Sequence, residues 1–311
     1  MRVLITGACG HIGSQLIRSR WLASAEEVIL VDNMLSQRYS SLFALPADVN
    51  FRFIEQDFIH LPSELFTDDT IVIHLAAITN AEQTVGKESE TWAVNSTGTK
   101  VLAIRCYQNG SKLIFPSTTS VYGSQEETVD ETCTELVPQS PYAASKLAAE
   151  QYLQWAHVAH GLKCCILRFG TVVGWSRGMR FHTAVNKFIW QACTKQPITV
   201  WKTAWNQKRP YLSLKDAIRA IQFIAEGNMF DGELYNVVSQ NLTIKSIVVM
   251  IEAALLREVS ITHVDSPIMN QLSYTVSHMK ISEKGCWASK FISEDIQETV
   301  TTLVGVNTWS G

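Results

Sequence analysis

The chain has 311 residues, which is enough for a large hydrophobic core and for two lobes. Apolar residues make up 46% and charged residues 18%, the composition of a folded globular protein rather than of a disordered one. A net charge of -3 at pH 7 argues against nucleic acid or an anionic membrane as the main partner. It does not exclude an anionic small ligand, because a few local donors can bind one.

The N-terminal sequence and the cysteines favour a cytoplasmic protein. The first residues, MRVLITGACG, have the pattern of a buried strand followed by a glycine turn, so no signal peptide is expected. No apolar run approaches the about 18 residues of a membrane span. The seven cysteines are odd in number and lack CxxC spacing, which predicts buried thiols in a reducing compartment and no metal site.

The first half of the chain alternates short β-rich runs with helical stretches. Several runs are continuously apolar, which is typical of parallel strands covered on both faces. The alternation predicts βαβ units and an α/β fold with a Rossmann-type, doubly wound parallel sheet. The predicted strands are Arg2–Thr6, Val28–Val31, Phe51–Ile54, Ile71–Leu75, Lys112–Phe115 and Lys163–Arg168, and the predicted helices are Ile12–Leu22, Ser89–Gln108 and Pro141–His160.

After Gly170 the pattern loosens and aromatic residues cluster, which indicates a second, smaller lobe of mixed α/β structure. We expect a dinucleotide-binding domain over 1–170, rejoined by parts of 209–240, and a substrate-binding lobe mainly over 171–311. No flexible linker separates the two, so we expect packed lobes with a cleft between them. The predicted helices of the second part are Phe181–Lys195, Lys215–Glu226, Thr243–Leu256 and Ser293–Leu303.

A glycine-rich loop, GACGHIG at residues 7–13, directly follows the first strand. Its GxxGxxG spacing lets the backbone turn and approach a pyrophosphate, at which the next helix directs its N-terminal amides. Asp32 lies 19 residues after Gly13, at the end of the second strand, where a carboxylate can accept hydrogen bonds from an adenosine ribose. A carboxylate there would repel a 2′-phosphate, so NAD is the predicted cofactor; Arg38, nearby in sequence, keeps NADP open.

Residues 140–146, SPYAASK, have the pattern of a helix start, with Ser140 as the N-cap and Pro141 in the first turn. Tyr142 and Lys146 are four residues apart and therefore share one helix face. An ammonium close to a phenol lowers the phenol's pKa from about 10, and the phenolate can act as a general base. Taken alone, the same spacing is also compatible with ordinary surface residues.

Nine segments in a fixed order make the chain resemble the extended short-chain dehydrogenases/reductases, specifically the NAD-dependent nucleotide-sugar epimerase/dehydratase family. Together they extend through nearly the whole sequence. The segments are GACGHIG (7–13), VDN (31–33), EQDF (55–58), HLAA (74–77), VNSTGT (94–99), FPSTTSVYG (115–123), SPYAASK (140–146), LRFGTVVG (167–174) and RPYLSLKDA (209–217).

The resemblance implies roles for residues at matching positions. Thr118 falls where these enzymes carry a catalytic Ser or Thr that hydrogen-bonds the reacting sugar oxygen. Tyr142 is then the base, and Lys146 tunes it and holds the nicotinamide ribose. The cofactor-binding residues expected from the glycine loop and the resemblance together are Gly7, Gly10, His11, Ile12, Gly13, Asp32, Asn33, Asp57, Phe58, Leu75, Ala76, Ala77, Asn95, Tyr142 and Lys146.

The resemblance also implies a nucleotide-sugar-binding site formed largely by the second lobe. Asn186 would touch the nucleotide diphosphate, and Val200 and Trp201 would line the base pocket. Arg209 would bind the diphosphate through its guanidinium, with Arg177 and Arg180 as candidate additional clamps. The substrate-binding residues expected are Thr118, Thr119, Thr171, Arg180, Asn186, Val200, Trp201 and Arg209.

Three positions depart from the family pattern. Thr119 and Ser120 stand where dehydratases of the family carry Asp-Glu. Decarboxylases usually carry a Glu two residues after the catalytic Thr, where this chain has Ser120. The extra acid/base group of both activities is therefore missing. Thr171 replaces an Asn that contacts the sugar in many epimerases. Residues 202–205, KTAW, replace a Gly-Asp-Gly segment, which leaves the nucleotide base open.

These observations favour an NAD-dependent epimerase of a nucleotide-diphosphate sugar, acting at C4 through transient hydride transfer and a keto-sugar intermediate. An NAD-dependent nucleotide-sugar oxidoreductase or decarboxylase is an alternative, and a catalytically silent NAD-binding regulator is a third hypothesis. The resemblance further implies a homodimer formed through the helices predicted at Ser89–Gln108 and Pro141–His160.

Overall fold

The computed structural model describes residues 1–80, 84–181, 183–265, 273–286, 288 and 291–303. The strands are β1 Arg2–Thr6, β2 Glu27–Asp32, β3 Phe51–Glu55, β4 Thr70–His74, β5 Lys112–Thr118, β6 Thr128–Val129, β7 Lys163–Phe169, β8 Thr171–Val173, β9 Ile198–Trp201, β10 Lys208–Ser213, β11 Leu234–Val237, β12 Gln240–Thr243, β13 Ile261–Val264 and β14 Thr275–Val276. The helices are α1 His11–Leu16, α2 Glu88–Trp92, α3 Thr99–Asn109, α4 Pro141–His160, α5 Ala184–Cys193, α6 Leu214–Glu226, α7 Ile244–Leu255, α8 Met279–Glu283 and α9 Ile292–Leu303.

A seven-stranded sheet forms the larger lobe, in the order β11-β7-β5-β4-β1-β2-β3. Every neighbouring pair in it is parallel. The strand order reverses at β1, which lies between β2 and β4, and such a switch point opens a crevice at the carboxyl ends of the strands. The predicted α/β fold with a doubly wound parallel sheet is confirmed.

Helices cover both faces of this sheet, which explains the continuously apolar strands. Val3 and Ile5 of β1 belong to one buried cluster, together with residues of α1 and α6. Leu4 belongs to a second cluster on the opposite face, together with residues of α3 and α4. Because successive side chains of a strand point to opposite faces, Val3 and Ile5 pack in the core on one face of the sheet and Leu4 packs in the core on the other face.

The second lobe is smaller and of mixed α/β structure. A three-stranded sheet has the order β12-β10-β8, with β10 antiparallel to β12 and parallel to β8, and β9 pairs with β13. Its core joins apolar residues of α5, α7 and α9, among them Val185, Ile247 and Ile296. Within the described ranges, none of the helices is both long and apolar enough to cross a membrane.

Two predicted helices differ from the structure. The first was expected over Ile12–Leu22, but α1 ends at Leu16, because the following amides bond three residues back, as in Ser19 N to Leu16 O. The helix expected over Ser89–Gln108 is divided into α2 and α3 by a π-helical turn over Ala93–Gly98. Such wide turns occur mostly as single bulges and often near functional sites, and this one contains Asn95.

Candidate active site

The glycine loop connects β1 to α1 and packs against the segment that follows β4. Gly7 has a φ of +68°, and a Cβ on it would lie 2.6 Å from the backbone nitrogen of Ala76. A Cβ on Gly13 would lie 2.5 Å from the carbonyl oxygen of Gly7. Side chains at these two positions are therefore incompatible with the loop, which leaves its backbone open to a ligand at the switch point.

Gly13→Ala is expected to weaken NAD binding and to destabilise the chain by about 1–3 kcal/mol, because the methyl group would overlap two backbone carbonyls. Gly10→Ala is the matched control within the same loop, since its Cβ would meet only the carbonyl oxygen of Gly7, at 3.2 Å. Thermal unfolding with and without NAD checks both effects. Equal behaviour of the two variants would contradict the steric argument.

Asp32 is fixed beside this loop at the end of β2. Its Oδ2 accepts a hydrogen bond from the amide of Cys9 at 3.0 Å, and its Oδ1 accepts one from the amide of Met34 at 3.0 Å. Each carboxylate oxygen can accept more than one bond, so the group remains able to bind ribose hydroxyls. Asn33 donates to Oδ2 of Asp57 at 3.4 Å, which places these two predicted cofactor residues next to each other.

Two predicted cofactor residues use their side chains elsewhere. The ring of Phe58 is buried and packs on His74 with centroids 4.7 Å apart, so only the backbone of Phe58 is available to an adenine. The imidazole of His11 is 2.8 Å from the carbonyl oxygen of Gly174, and burial lowers its pKa to about 4. His11 is therefore neutral near pH 7. The side chain of the next residue, Ile12, packs on the hydrophobic core.

Asn95 connects the loop after β4 to helix α4. Its Oδ1 accepts from the amide of Ile78 at 2.8 Å, and its Nδ2 donates to the carbonyl of Ile78 at 2.9 Å. The same Nδ2 donates to the hydroxyl of Ser145 at 3.1 Å. The segment that contains Leu75, Ala76 and Ala77 is thus held against the helix that carries Tyr142 and Lys146.

Thr118 and Tyr142 meet at the carboxyl end of β5. Helix α4 begins as predicted, with the hydroxyl of Ser140 accepting from the amide of Ala143 at 3.2 Å. The hydroxyl of Thr118 lies near the phenol of Tyr142 and acts to lower the pKa of that phenol. That hydroxyl is also 3.1 Å from the hydroxyl of Ser120. The structure therefore brings together the catalytic Thr and Tyr expected from the sequence.

The electrostatics of the pair differ from the sequence prediction. Burial raises the pKa of Tyr142 to about 12, while the nearby hydroxyl of Thr118 and the charge of Arg180 act in the opposite direction. Lys146 was expected to lower this pKa, but its Nζ lies over the ring of Phe115, 3.9 Å from the centroid. Burial lowers the pKa of Lys146 itself to about 7, against the charge of Glu150. Arg180 is the cation that acts on the Tyr142 phenol.

Tyr274 is a buried residue of the site that sequence analysis missed. Its hydroxyl is 3.2 Å from the hydroxyl of Thr119, which also donates to the carbonyl of Phe169 at 3.3 Å. Thr119, expected to bind substrate, is thus buried and already bonded. Tyr274 comes just before the two-residue strand β14, too short a segment to give a periodic signal.

The predicted substrate residues of the second lobe differ in their burial. Asn186 and Val200 are buried, and the amide of Asn186 donates to the carbonyl of Arg180 at 2.9 Å. Thr171 and Trp201 are half-buried, in β8 and β9. Arg209 in β10 has two buried nitrogens, Nε and Nη2, without a hydrogen-bond partner among the described residues. Unpaired guanidinium donors fit a phosphate, so Arg209 keeps its expected chemistry.

Together, the parallel sheet and the glycine loop at its switch point define a Rossmann-type protein. A model of the NAD dependent epimerase/dehydratase family matches residues 3–237. The chain belongs to that family.

Similar proteins carry names of sugar-nucleotide enzymes. The chain is 28% identical over 245 residues to the uncharacterized UDP-glucose epimerase YtcB of Bacillus subtilis, covering 76% of each. It is 29% identical over 180 residues to a UDP-glucose 4-epimerase of Lacticaseibacillus casei, covering 56% of this chain and 52% of that protein. The match thus spans about half the length of that relative.

Solved structures resemble the chain over nearly its whole length. A UDP-glucuronic acid 4-epimerase from Bacillus cereus, crystallised with UDP-glucuronic acid and NAD, superposes with a TM-score of 0.89 at 26% identity. The superposition covers 97% of this chain and 99% of that one. The part of the second lobe that follows residue 237, where the family model ends, therefore also has the architecture of that epimerase structure.

Proposed function

We propose that the chain is an NAD-dependent epimerase of a nucleotide-diphosphate sugar, acting at C4. The observation that carries the proposal is the position of helix α4, whose first turn carries Tyr142 near Thr118 at the end of β5, and which Ser145 and Asn95 tie to the loop after β4. This position supports Tyr142 as the proton acceptor for a sugar alcohol, beside the crevice expected to hold a nicotinamide. The similar epimerases support the same activity.

The chain's own residues have separable tasks in this reaction. The phenol oxygen of Tyr142 takes the proton of the sugar hydroxyl, a step that the charge of Arg180 favours and that burial opposes by raising the pKa of Tyr142. Thr118 holds the sugar oxygen in place. NAD, held at the glycine loop and by Asp32, would supply a reversible hydride acceptor for C4 of the sugar. Arg209 binds the diphosphate, so that the sugar can turn while its nucleotide stays fixed.

The residues beside Thr118 favour epimerisation over loss of water or carbon dioxide. Thr119 and Ser120 offer hydroxyls, which are bonded to Tyr274 and Thr118, and hydroxyls with pKa values far above 7 are poor acid/base groups. The buried carboxylate of Glu150 is paired with Arg168. Oxidation at C4 with return of the hydride needs no further acid/base group.

The test is incubation of the purified chain with NAD and a panel of UDP-, GDP-, dTDP- and CDP-sugars. Nuclear magnetic resonance identifies the product, and absorbance of NADH is followed in parallel. A C4 stereoisomer without accumulation of NADH is expected. Net NADH identifies an oxidoreductase, loss of carbon dioxide a decarboxylase, and bound NAD without any turnover a silent regulator.

We also propose that the protein acts in the cytoplasm as a homodimer. The described cysteines are free thiols, which supports a reducing compartment.

The dimer is supported by exposed apolar side chains. Trp92 on α2 and Trp155 and Val158 on α4 are exposed, and large exposed apolar side chains on neighbouring helices suit a subunit interface. Light scattering coupled to size exclusion should give the mass of two chains, and the mass of one chain would contradict the dimer.

A further inference from the structure

A segment of the second lobe lies directly on the glycine loop. In this segment, residues 174–180, which we call the strap, the hydroxyl of Ser176 donates to the carbonyl of His11 at 2.9 Å. The amide of Gly178 donates to the hydroxyl of Ser14 at 2.9 Å. A Cβ on Gly178 would lie 2.4 Å from the carbonyl oxygen of Cys9, so the close approach depends on glycine. The strap therefore has a fixed position relative to the cofactor loop.

Arg180, at the end of the strap, extends into the cofactor crevice. Its Nη1 donates to the hydroxyl of Thr79 at 2.7 Å, in the loop that follows β4. Its carbonyl accepts the bond from the buried amide of Asn186, which fixes its backbone. Its Nε is buried and has no hydrogen-bond partner in the described part of the chain. A buried guanidinium N–H without a partner favours the binding of an anionic ligand from outside the chain.

Arg38 brings a second cation to the same place from the first lobe. Its Nη1 is likewise buried, without a hydrogen-bond partner within the described ranges. Burial lowers the pKa of Arg180 to about 10, and the charge of Arg38 acts in the same direction. The charges of both arginines also lower the pKa of His11, after burial as the main cause. Geometry agrees: the amide of Ser41 bonds to the carbonyl of Arg38, and the hydroxyl of Ser41 donates to the carbonyl of Cys9 at 2.9 Å, so the turn that carries Arg38 is fixed to the glycine loop.

No carboxylate of the described residues forms an ion pair with Arg38 or Arg180. Two half-buried cations near each other repel, and an anion between them would relieve the repulsion. Arg180 also interacts with Asp32 at the ribose end of the crevice and with Tyr142 at the catalytic end. An anion bound by Arg180 would lie between these two ends, where a dinucleotide carries its pyrophosphate.

We propose that Arg38 and Arg180 form a cationic clamp that holds the pyrophosphate of the cofactor against the glycine loop. This assigns Arg180 to the cofactor instead of to the substrate. Arg209, with two unpartnered nitrogens in β10, is left for the diphosphate of the nucleotide sugar. Because the strap belongs to the second lobe, cofactor binding would also tie the two lobes together. The proposal rests on the NAD-binding part of the proposed function and not on epimerisation.

The two sources of diphosphate are distinguished by two titrations of the full chain. ADP-ribose is the probe for the cofactor site, and UDP, added to NAD-saturated protein, is the probe for the substrate site. Arg180→Gln is expected to raise the Kd of ADP-ribose about tenfold or more, as for a lost hydrogen bond to a charged group, and to leave the Kd of UDP within about twofold. Arg38→Gln should act in the same direction.

Arg52→Gln is the matched control, because Arg52 is an exposed arginine of β3 whose Nε lies 3.1 Å from Oε1 of Glu27. It should leave both dissociation constants unchanged. Added salt should weaken ADP-ribose binding more in the native chain than in Arg180→Gln, because the clamp acts through charge. Circular dichroism and thermal unfolding verify that each variant is folded, and Arg180→Lys should restore part of the affinity.

Three outcomes would overturn the clamp. Unchanged ADP-ribose affinity in both folded glutamine variants would show that neither arginine binds the pyrophosphate. Weaker UDP binding with unchanged ADP-ribose binding would assign Arg180 to the substrate. An Arg180→Gln variant that cannot fold, together with an unaffected Arg38→Gln variant, would make Arg180 structural. A native chain that binds neither ADP-ribose nor NAD would instead contradict the proposed function.

Discussion

Tyr142→Phe is expected to lower turnover of the nucleotide sugar by about a thousandfold, within the range for loss of a general acid/base group. The substitution removes the only atom of the side chain that can take the proton of the sugar hydroxyl. The ring at the start of α4 remains, so the fold should change little, and the affinity for NAD should fall by no more than about tenfold, the loss of one neutral hydrogen bond. Steady-state kinetics and an NAD titration measure the two quantities separately.

Tyr152→Phe is the matched control for this prediction. Tyr152 lies on the same helix α4, ten residues further along, with its ring beside Lys100 and Trp155. It should keep the native turnover within about twofold, since its hydroxyl is remote from Thr118. Substantial activity in Tyr142→Phe would mean that another group accepts the proton, and the assignment of Tyr142 as the base would then be wrong.

Glu150→Ala is expected to destabilise the folded chain by about 3–5 kcal/mol, because it leaves the guanidinium of Arg168 buried without a counter-charge. The two side chains are 2% and 5% exposed, and Nη2 of Arg168 lies 2.7 Å from Oε2 of Glu150. Nε of Arg168 is 3.1 Å from both carboxylate oxygens. Urea unfolding of the native and variant chains measures the difference in the free energy of unfolding.

Two further variants distinguish the effect of burial from the effect of charge on the stability lost in Glu150→Ala. Glu233→Ala removes one partner of an exposed ion pair with Lys280, and it should cost less than about 1 kcal/mol. Replacing Glu150 by Leu and Arg168 by Met together should recover most of the lost stability, since no unpaired charge is then buried. A small loss in Glu150→Ala, similar to that in Glu233→Ala, would contradict the argument from burial.

The first lobe is predictable from the sequence because its strands are buried on both faces. The runs around Leu4, Ile29 and Val72 are continuously apolar, which fixes both the strands and the parallel sheet. The end of α1 is not predictable in this way. Apolar residues such as Trp21 and Leu22 continue past Leu16 and are buried, but they belong to a separate 3₁₀ turn, so the apolar pattern extends beyond the helix.

The site is predictable where one motif supplies neighbouring residues, and not where distant segments meet. Ser140, Tyr142 and Lys146 follow from a single helix start. The contact of Tyr274 with Thr119 joins residues 155 positions apart, and no local pattern indicates it. Electrostatic balance is also a property of the fold, which is why burial, rather than Lys146, dominates the pKa of Tyr142.

The central claim is that the configuration at C4 is inverted by removal and return of the same hydride. Its most direct test uses the nucleotide sugar identified by the panel, labelled with deuterium at C4 and incubated with the NAD-loaded chain. We expect the C4 epimer to retain the deuterium at C4, without label in free NADH or in water. An epimer that carries solvent hydrogen at C4, or label that accumulates in free NADH, would contradict it.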